Sequence, residues 1–376
     1  MPSDSSLAQV EYHEVLMADA PRVIGLAAAL RKTVRPGMVV LDVGTGSGWM
    51  AILAAKLGAR RVYAVERGSI GAIAGEAIRR NGVADRVVLL RDDLDAVRLP
   101  ERADLMVSET VGNFAWNEDL VRLAGIARKR LLRRGARIIP QEAGLRIVPV
   151  GSTGSTGLSR TVQALDGIDL TPLFRVRDHR PLLLRDEVPD PLADPRSMFR
   201  WNPSRDPLPR FPWTRSAVWQ VREAAPVAAF GGWVEGRWTA GLPFSTRTPS
   251  SWLPFLLLVR PGLRVGKGDR LEFEMTFVTP ERMQWAVTLN GVPWSRHDTA
   301  LSDPRTAAQA RLRPSSIPRL TLPVRRRGAI LTATDGRTSV AGILRRMAGH
   351  PAFRTMDKEE LRKLVITTLA DQLPGI

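Results

Sequence analysis

The stretch from Val39 to Gly48, VVLDVGTGSG, sets what the remainder of this chain must be built around. Four of its first five residues are apolar, as in a strand covered on both faces of a parallel sheet. Gly44, Gly46 and Gly48 then surround Thr45 and Ser47 ahead of the helix-like run WMAILAAKLGA. The pattern predicts a buried strand, a tight turn and a helix N-terminus. Glycines let the backbone pass close to a bound molecule, and the unpaired N–H groups at a helix start favour an anionic group such as a carboxylate. Similar turns also hold dinucleotides, so this stretch alone names no ligand.

Its neighbours extend the pattern into an α/β domain. Val15, Leu16, Val23, Ile24, Leu26 and Leu30 recur at helical spacing and predict one or two helices over Val15 to Lys32, interrupted near Pro21. Arg22, just upstream of the cradle, has the reach of a bidentate donor to a ligand carboxylate. A second strand, RRVYAVE, places Glu66 at its carboxyl end, about twenty positions after the glycine turn, where an acidic side chain accepts both hydroxyls of a ribose. A helix from Ile70 to Arg80, a third strand from Val87 to Leu90 and the acidic loop Asp92-Asp93-Leu94-Asp95 follow, and carboxylates at that strand end sit beside the adenine pocket of a nucleotide-like ligand. The fourth strand, ADLMVSE, ends in Glu109. Glu118 stands nine residues on, at the start of what reads as a long amphipathic helix with a basic face. A helix N-terminus accounts for Glu118 on its own, whereas a strand-end carboxylate beside such a turn is where α/β enzymes keep their chemistry.

With 376 residues and 44% hydrophobic content, the chain has room for two or three packed domains. No run approaches the roughly 20 apolar residues of a membrane span, and the start, MPSDSSLAQVEYHE, lacks the basic and apolar regions of a signal peptide, so a cytoplasmic location without membrane contact is expected. Zero cysteines exclude disulfides, thiolate metal sites and a cysteine nucleophile, and four scattered histidines disfavour a metal centre. The chemistry then falls to carboxylates and a bound reagent. The formal charge of +17 would suit an anionic partner, but it is nearly all arginine spread along the whole chain, with lysine at only six positions, which disfavours nucleic acid.

Residues 1–144 thus read as a Rossmann-like α/β domain with N-terminal helices. From about Leu145 the stretches SAVWQV, PVAAFGGWVEGRW, WLPFLLLV and RLEFEMTF alternate between turn residues and predict antiparallel strands of a barrel or sandwich over 145–304. Thr171 to Trp213, proline-rich and charged, reads as an extended arm, and 305–319 as a linker. Residues 320–376 read as a hairpin closed at Asp335-Gly336, a helix opened by Thr338 or Ser339, and a second helix with an acidic first turn. Such a unit looks like a small winged-helix module.

Residues 10 to 295 resemble the class I S-adenosylmethionine-dependent methyltransferases, and specifically the protein arginine methyltransferase family. On that resemblance, Arg22 in LMADAPR binds the cofactor carboxylate. VLDVGTGSG, with Asp42 and the backbone of Gly44, Thr45, Gly46 and Gly48, surrounds the methionine portion of S-adenosylmethionine. Glu66 in AVERGSI holds the ribose, and Leu94 with Asp95 fall at the adenine. The most specific match is SETVGNFAWNE, in which Glu109 and Glu118 keep the spacing of the two glutamates that grip the substrate guanidinium. FSTRTPSSW resembles the segment carrying the family's Thr-His-Trp loop, and the strands around it resemble its β-barrel. Trp252 is retained, but Ser251 stands where the family has histidine. Tyr12 and His13 are the nearest counterparts of the aromatic pair that closes the pocket. The C-terminal module is similar to peptide-recognition domains fused to enzymes that modify ribosomally made peptides, and the whole arrangement is similar to methyltransferases of daptide-type pathways.

These resemblances imply an N-methyltransferase for an amine of a ribosomally made peptide, such as a terminal amine methylated twice, with Glu109 and Glu118 catalytic and Ser251 and Trp252 on the substrate loop. The expected partners are a precursor peptide and a second copy of the chain in a homodimer. The alternatives are an arginine N-methyltransferase acting on protein or free arginine, and a non-catalytic regulator that binds peptide or nucleic acid on a degenerate methyltransferase fold.

Overall fold

The structure, a computed structural model, describes residues 6–115, 117–153, 179–247, 250–280, 282–300, 326, 329–331, 333, 338–354 and 356–370. It divides into two compact units, Met1–Ala307 and Ala308–Ile376.

The first unit opens with two helices, α1 (Ser6–Ala18) and α2 (Ala20–Thr33). The break falls at Asp19, whose side chain caps α2 by accepting from the Arg22 N–H, and Pro21 occupies the first turn, where its missing donor costs nothing. Five strands follow: β1 (Val39–Val43), β2 (Arg61–Val65), β3 (Val87–Leu90), β4 (Ala103–Ser108) and β5 (Leu132–Ile139). Between them lie α3 (Trp49–Lys56), α4 (Gly71–Arg80) and α5 (Leu120–Ile126). All strand pairings are parallel, in the order β3-β2-β1-β4-β5, and β1 is buried along its whole length because helices cover both faces. The strand order reverses between β1 and β4. Ligand crevices in such sheets open there, outside the carboxyl ends of the two strands, where Asp42–Gly48 and Glu109 leave the sheet.

The long basic helix expected after Glu118 is much shorter. α5 ends at Ile126, a single π turn covers Ala127–Leu131, and LRRGARII becomes β5. Two facts decide this. Gly135 sits at φ +79°, which a helix interior does not accommodate, and Leu132, Ile138 and Ile139 are buried where β5 pairs with β4.

The sheet-rich part begins at β6 (Glu142–Val150), three residues ahead of the expected boundary at Leu145. It continues through β7 (Leu182–Leu183), β8 (Arg196–Trp201), β9 (Trp213–Gln220), β10 (Ala225–Pro226), β11 (Ala229–Thr239), β12 (Leu242–Ser245), β13 (Phe255–Leu258), β14 (Arg264–Val265), β15 (Arg270–Thr279), β16 (Arg282–Leu289) and β17 (Val292–Ala300). One antiparallel sheet runs β7-β13-β11-β6-β8 with β12 beside β11, another runs β17-β16-β15-β9, and β10 pairs with β14. The two larger sheets share a core in which Phe230 of β11 lies 4.5 Å from Phe273 of β15 and 5.7 Å from Trp219 of β9, ring centre to ring centre. Burial alternates along β15 and β16, as it must when one face meets the core and the other meets water. Among the described residues no ring of paired strands closes; the expected barrel is not shown there, and the two larger sheets pack on each other. The expected arm is also revised. Its residues 182–183 pair with β13 and its residues 196–201 pair with β6, since Met198 and Trp201 have core positions to fill, while 154–178 lie outside the described residues.

In the second unit, α6 (Val340–Ala348) is capped by Ser339, whose hydroxyl accepts from the Gly342 N–H, and α7 (Lys358–Ala370) begins with Glu359 and Glu360 in its first turn. Ile330, Ile343, Met347, Phe353, Leu361 and Val365 form its core. Ala329–Leu331 are helical, with Ile330 and Ala333 buried three residues apart, so the segment expected as one arm of a hairpin packs as helix. No strand occurs among this unit's described residues, and no winged-helix hairpin is present there; Asp335, Gly336 and the 305–319 linker lie outside them. No helix of the described residues is long and apolar enough to cross a membrane.

Candidate active site

The turn after β1 is held by short-range bonds. Gly48 caps α3 at φ +84°, and Gly46 lies at φ +56° with the His13 ring of α1 so close that an added Cβ would fall 2.4 Å from it. Both positions therefore require glycine. Asp42 is fully buried at the end of β1 and accepts from Thr45 Oγ1 at 2.5 Å. Burial pushes its carboxyl up to about 7, against the opposing pull of that hydroxyl. Glu66, at the end of β2, faces the same turn: Oε2 accepts from the Gly46 N–H at 2.9 Å and Oε1 from the Gly68 N–H at 2.6 Å. A cradle amide thus already holds an anion, as the helix-start geometry leads one to expect.

The loop after β3 divides its two candidates. Leu94 is a core residue, 2% exposed, whereas Asp95 is open to solvent and ion-pairs with Arg122 of α5 at 2.5 Å. Arg122 also meets Asp93 at 3.6 Å and Asp119 at 3.1 Å, tying this loop to the segment that carries Glu118.

Arg22, Glu109, Glu118 and Trp252 are brought together across the mouth of the crevice. Arg22 is buried at the start of α2; its Nη1 lies 3.0 Å from Glu109 Oε1, its Nη2 donates to the Leu16 carbonyl at 2.6 Å, and its guanidinium lies over the Trp252 ring at 5.4 Å. Nε and Nη1 of Arg22 have no aligned hydrogen-bond acceptor among the described residues. Burial raises the proton affinity of both Glu109 and Glu118, with Arg22 opposing; Glu118 adds to the rise at Glu109. Two carboxylates under one guanidinium titrate as a coupled pair. The Tyr12 phenol of α1 is likewise pushed up, first by burial and then by the charges of Glu118 and Glu109, so this helix brings an aromatic hydroxyl to the pair.

The substrate-loop candidates reach the same place through Asp19. Its Oδ2 accepts from the Ser251 N–H at 2.9 Å and from Ser251 Oγ at 2.7 Å, while Oδ1 caps α2. Burial alone would raise the Asp19 carboxyl, but the bonds from Ser251 prevail and hold it below its ordinary value. Trp252 is buried beside Trp238 and Phe244. Leu253 N–H donates to Asn113 Oδ1 at 2.9 Å, joining this segment to the glutamate loop.

Sequence reasoning missed Asp19, Asn113 and Arg122. Asp19 is legible as a helix cap ahead of Pro21, but its second oxygen serves a residue 232 positions away, and nothing local announces that. A cavity of about 620 Å³ opens elsewhere, beside α5, lined by Asp95, Arg122, Ile126, Leu208, Phe211 and Pro280. Its walls are largely apolar and Arg122 is already ion-paired, so the chemistry points to the glutamate pair. No cluster of metal-binding side chains occurs among the described residues.

Comparison with known proteins finds methyltransferases similar to parts of this chain. The family profile "Ribosomal protein L11 methyltransferase (PrmA)" matches residues 25–132. Protein arginine N-methyltransferase 6 of Danio rerio is 33% identical over 171 residues, 44% of this chain and 49% of that protein. Probable protein arginine N-methyltransferase 6 of Arabidopsis thaliana is 34% identical over 147 residues, 39% of this chain and 34% of its own length. The chain therefore spans about half the length, or less, of these curated relatives. Among solved structures, the Trypanosoma brucei PRMT1 enzyme–prozyme heterotetrameric complex with AdoHcy superposes with a TM-score of 0.67 at 21% identity, over 76% of this chain and 96% of that one. Arabidopsis thaliana protein arginine methyltransferase 10 gives 0.65 at 19% identity, over 78% and 100%. These structures share the fold: a Rossmann-like parallel sheet followed by a sheet-rich domain.

Proposed function

We propose that this chain is an S-adenosylmethionine-dependent N-methyltransferase whose acceptor is a basic nitrogen held between Glu109 and Glu118, with an arginine guanidinium as the acceptor its relatives favour. The observation that carries this reading is the Arg22–Glu109 pair beside Glu118 at the reversal point of the parallel sheet. The residues fit the cofactor. The glycine cradle admits close backbone approach, and Arg22 has N–H directions without an aligned acceptor, as suits a group that receives a carboxylate.

Arg22 and the turn from Asp42 to Gly48, with Thr45, would hold the amino-acid end of the cofactor, Glu66 the ribose, and the Leu94–Asp95 segment the adenine. When bound, S-adenosylmethionine supplies a methyl group on an activated sulfonium. The chain's own task is to align an acceptor lone pair and exclude water. Glu109 and Glu118 grip a cationic acceptor through charge-assisted hydrogen bonds. Their raised proton affinity also makes the pair competent to take the proton that leaves the nitrogen at neutral pH. Buried Trp252, under the Arg22 guanidinium, covers that side against water.

A second acceptor, the terminal amine of a ribosomally made peptide, is favoured by two features: Ser251 occupies the histidine position of the arginine enzymes, and a separate helical unit follows the region of resemblance. A precursor peptide is the partner under that reading. Retention of both glutamates speaks against a non-catalytic regulator.

Titration calorimetry tests the cofactor: S-adenosylmethionine and its demethylated product should bind and NAD should not, and the opposite result would sink the proposal. Methyl transfer to an arginine peptide with a blocked N-terminus, set against an arginine-free peptide with a free one, separates the two acceptors. In Glu109→Gln and Glu118→Gln, turnover should fall on the order of 100-fold or more while cofactor affinity changes only a few-fold.

A further inference from the structure

The loop that presents the two glutamates is an unfavourable shape for its sequence. Gly112, Ala115 and Asp119 all have positive φ, at 66°, 71° and 74°, a conformation that glycine adopts freely and that is disfavoured for alanine and, less so, for aspartate. Such backbone persists only where its surroundings over-determine it. Part of the restraint is apolar: Val111, Phe114 and Ala115 are buried, and the Phe114 ring lies 4.4 Å from that of Phe255. Part is local: Asn117 Oδ1 accepts from the Phe114 N–H at 2.9 Å. Arg22 holds Glu109 at one end of the loop and Arg122 holds Asp119 at the other. Between them stands Asn113, four residues after Glu109 and five before Glu118, whose Oδ1 accepts from the Leu253 N–H at 2.9 Å.

That bond closes a circuit. Leu253 follows Trp252, which lies under Arg22; Ser251 is held by Asp19; Asp19 caps the helix that carries Arg22; and Arg22 returns to Glu109. We infer that Asn113 is a positioning residue for the acceptor site, setting the distance of the Glu109–Glu118 loop from the Ser251–Trp252 segment through the Leu253 amide. The inference rests on the proposed methyltransferase reading and adds to it a residue on neither ligand. Because Val111, Phe114 and Ala115 keep the loop folded without Asn113, losing the bond displaces the carboxylates, while the glycine cradle keeps its own Thr45–Asp42 and Gly46–Glu66 bonds; among the described residues no hydrogen bond joins it to residues 111–118.

The test compares Asn113→Ala with Asn113→Asp in the full chain, since aspartate keeps an oxygen that accepts the Leu253 N–H. Hydrogen exchange at the Leu253 amide should quicken about tenfold or more in the alanine variant and stay near wild type in the aspartate variant. The acceptor kcat/KM should fall on the order of 10-fold to 100-fold in alanine and return to within a few-fold in aspartate, with S-adenosylmethionine affinity changed no more than a few-fold in either, since Arg22 keeps its place on its own helix. Wild-type turnover in the alanine variant overturns the inference. So does equal loss in both variants, or a loss of cofactor affinity that tracks the loss of turnover. If the alanine variant is insoluble, the aspartate variant decides alone: retained Leu253 protection and turnover support the role, and loss of both removes it. A wild-type protein that methylates no nitrogen, with Leu253 exchange responding as stated, refutes the methyltransferase reading while the Asn113 link stands.

Discussion

The two sides of the crevice are assembled in opposite ways. At the glycine turn, Thr45 bonds Asp42 three residues back, and Glu66 reaches Gly46 over 20 residues. At the glutamate loop, Asn113 bonds Leu253 across 140 residues and Asp19 bonds Ser251 across 232. The glycine-turn side, proposed here for the cofactor, is thus a property of one β-turn-α unit and the strand beside it. The glutamate side, proposed for the acceptor, exists only when the N-terminal helices, the parallel sheet and the sheet-rich part have come together. Arg22, paired with Glu109 and proposed to receive the cofactor carboxylate, belongs to both.

Removing that shared residue should have the largest effect. Arg22→Met is expected to abolish turnover and weaken S-adenosylmethionine binding together, and to destabilise the fold by up to roughly 3–5 kcal/mol, the range for breaking a buried pair. Glu109 takes up a proton once its partner is gone, which holds the loss toward the lower end. Denaturant unfolding and calorimetry on one preparation check this; a variant that loses turnover but binds cofactor normally would show that Arg22 serves the acceptor side alone.

Gly46→Ala should separate the two sides. The φ of +56° and the approach of His13 strain an alanine there, with a penalty of about 1–2 kcal/mol before relaxation, and cofactor affinity should fall about tenfold. The KM for acceptor at saturating cofactor should hardly move. A parallel rise in both constants would erase the distinction.

The smallest expected effect is on the pH dependence of stability. Glu109 and Glu118 are raised in the folded chain, so between the ordinary carboxylate range and neutrality the unfolded chain ionises first, and these groups lower stability as pH rises. Asp42, raised to about 7, acts with the same sign. Asp19, lowered, acts oppositely: its contribution is present above its unfolded value and is lost as pH falls through the folded one. Replacing Glu118 by glutamine removes one titrating group, so the decline in unfolding free energy from about pH 5 to about pH 7, followed by denaturant titration, should be shallower than in wild type, by at most about 1.4 kcal/mol per pH unit. An unchanged slope would mean that Glu118 ionises freely in the folded protein.

What was legible in the sequence follows the same division. The buried strand, the glycine turn, Glu66 and the third strand could be read because each depends on apolar runs and turn residues within a few positions. The spacing of Glu109 and Glu118 was also visible, but the helix after them was read too long, since arginines at helical spacing do not reveal that Leu132 to Ile139 would gain more by joining the edge of a sheet. The sheet-rich part was recognised from alternation, which marks strands but carries no register; whether they close into a barrel or pack as two sheets depends on pairings such as β11 with β6 and β15 with β9. In the second unit, the segment around Ile330 was read as a hairpin arm, and its place in one core with Ile343 and Val365 goes with a helix, which sets Ile330 and Ala333, three residues apart, on one face. The sequence by itself determined the parallel strands, the cradle and the two carboxylates, because local sterics and hydrogen bonding suffice for them. Only the tertiary structure decided that Arg22 faces Glu109, that Asp19 serves a loop from the far end of the unit, and that burial raises the proton affinity of the pair. Desolvation and long-range contacts have no signature in a run of neighbouring residues.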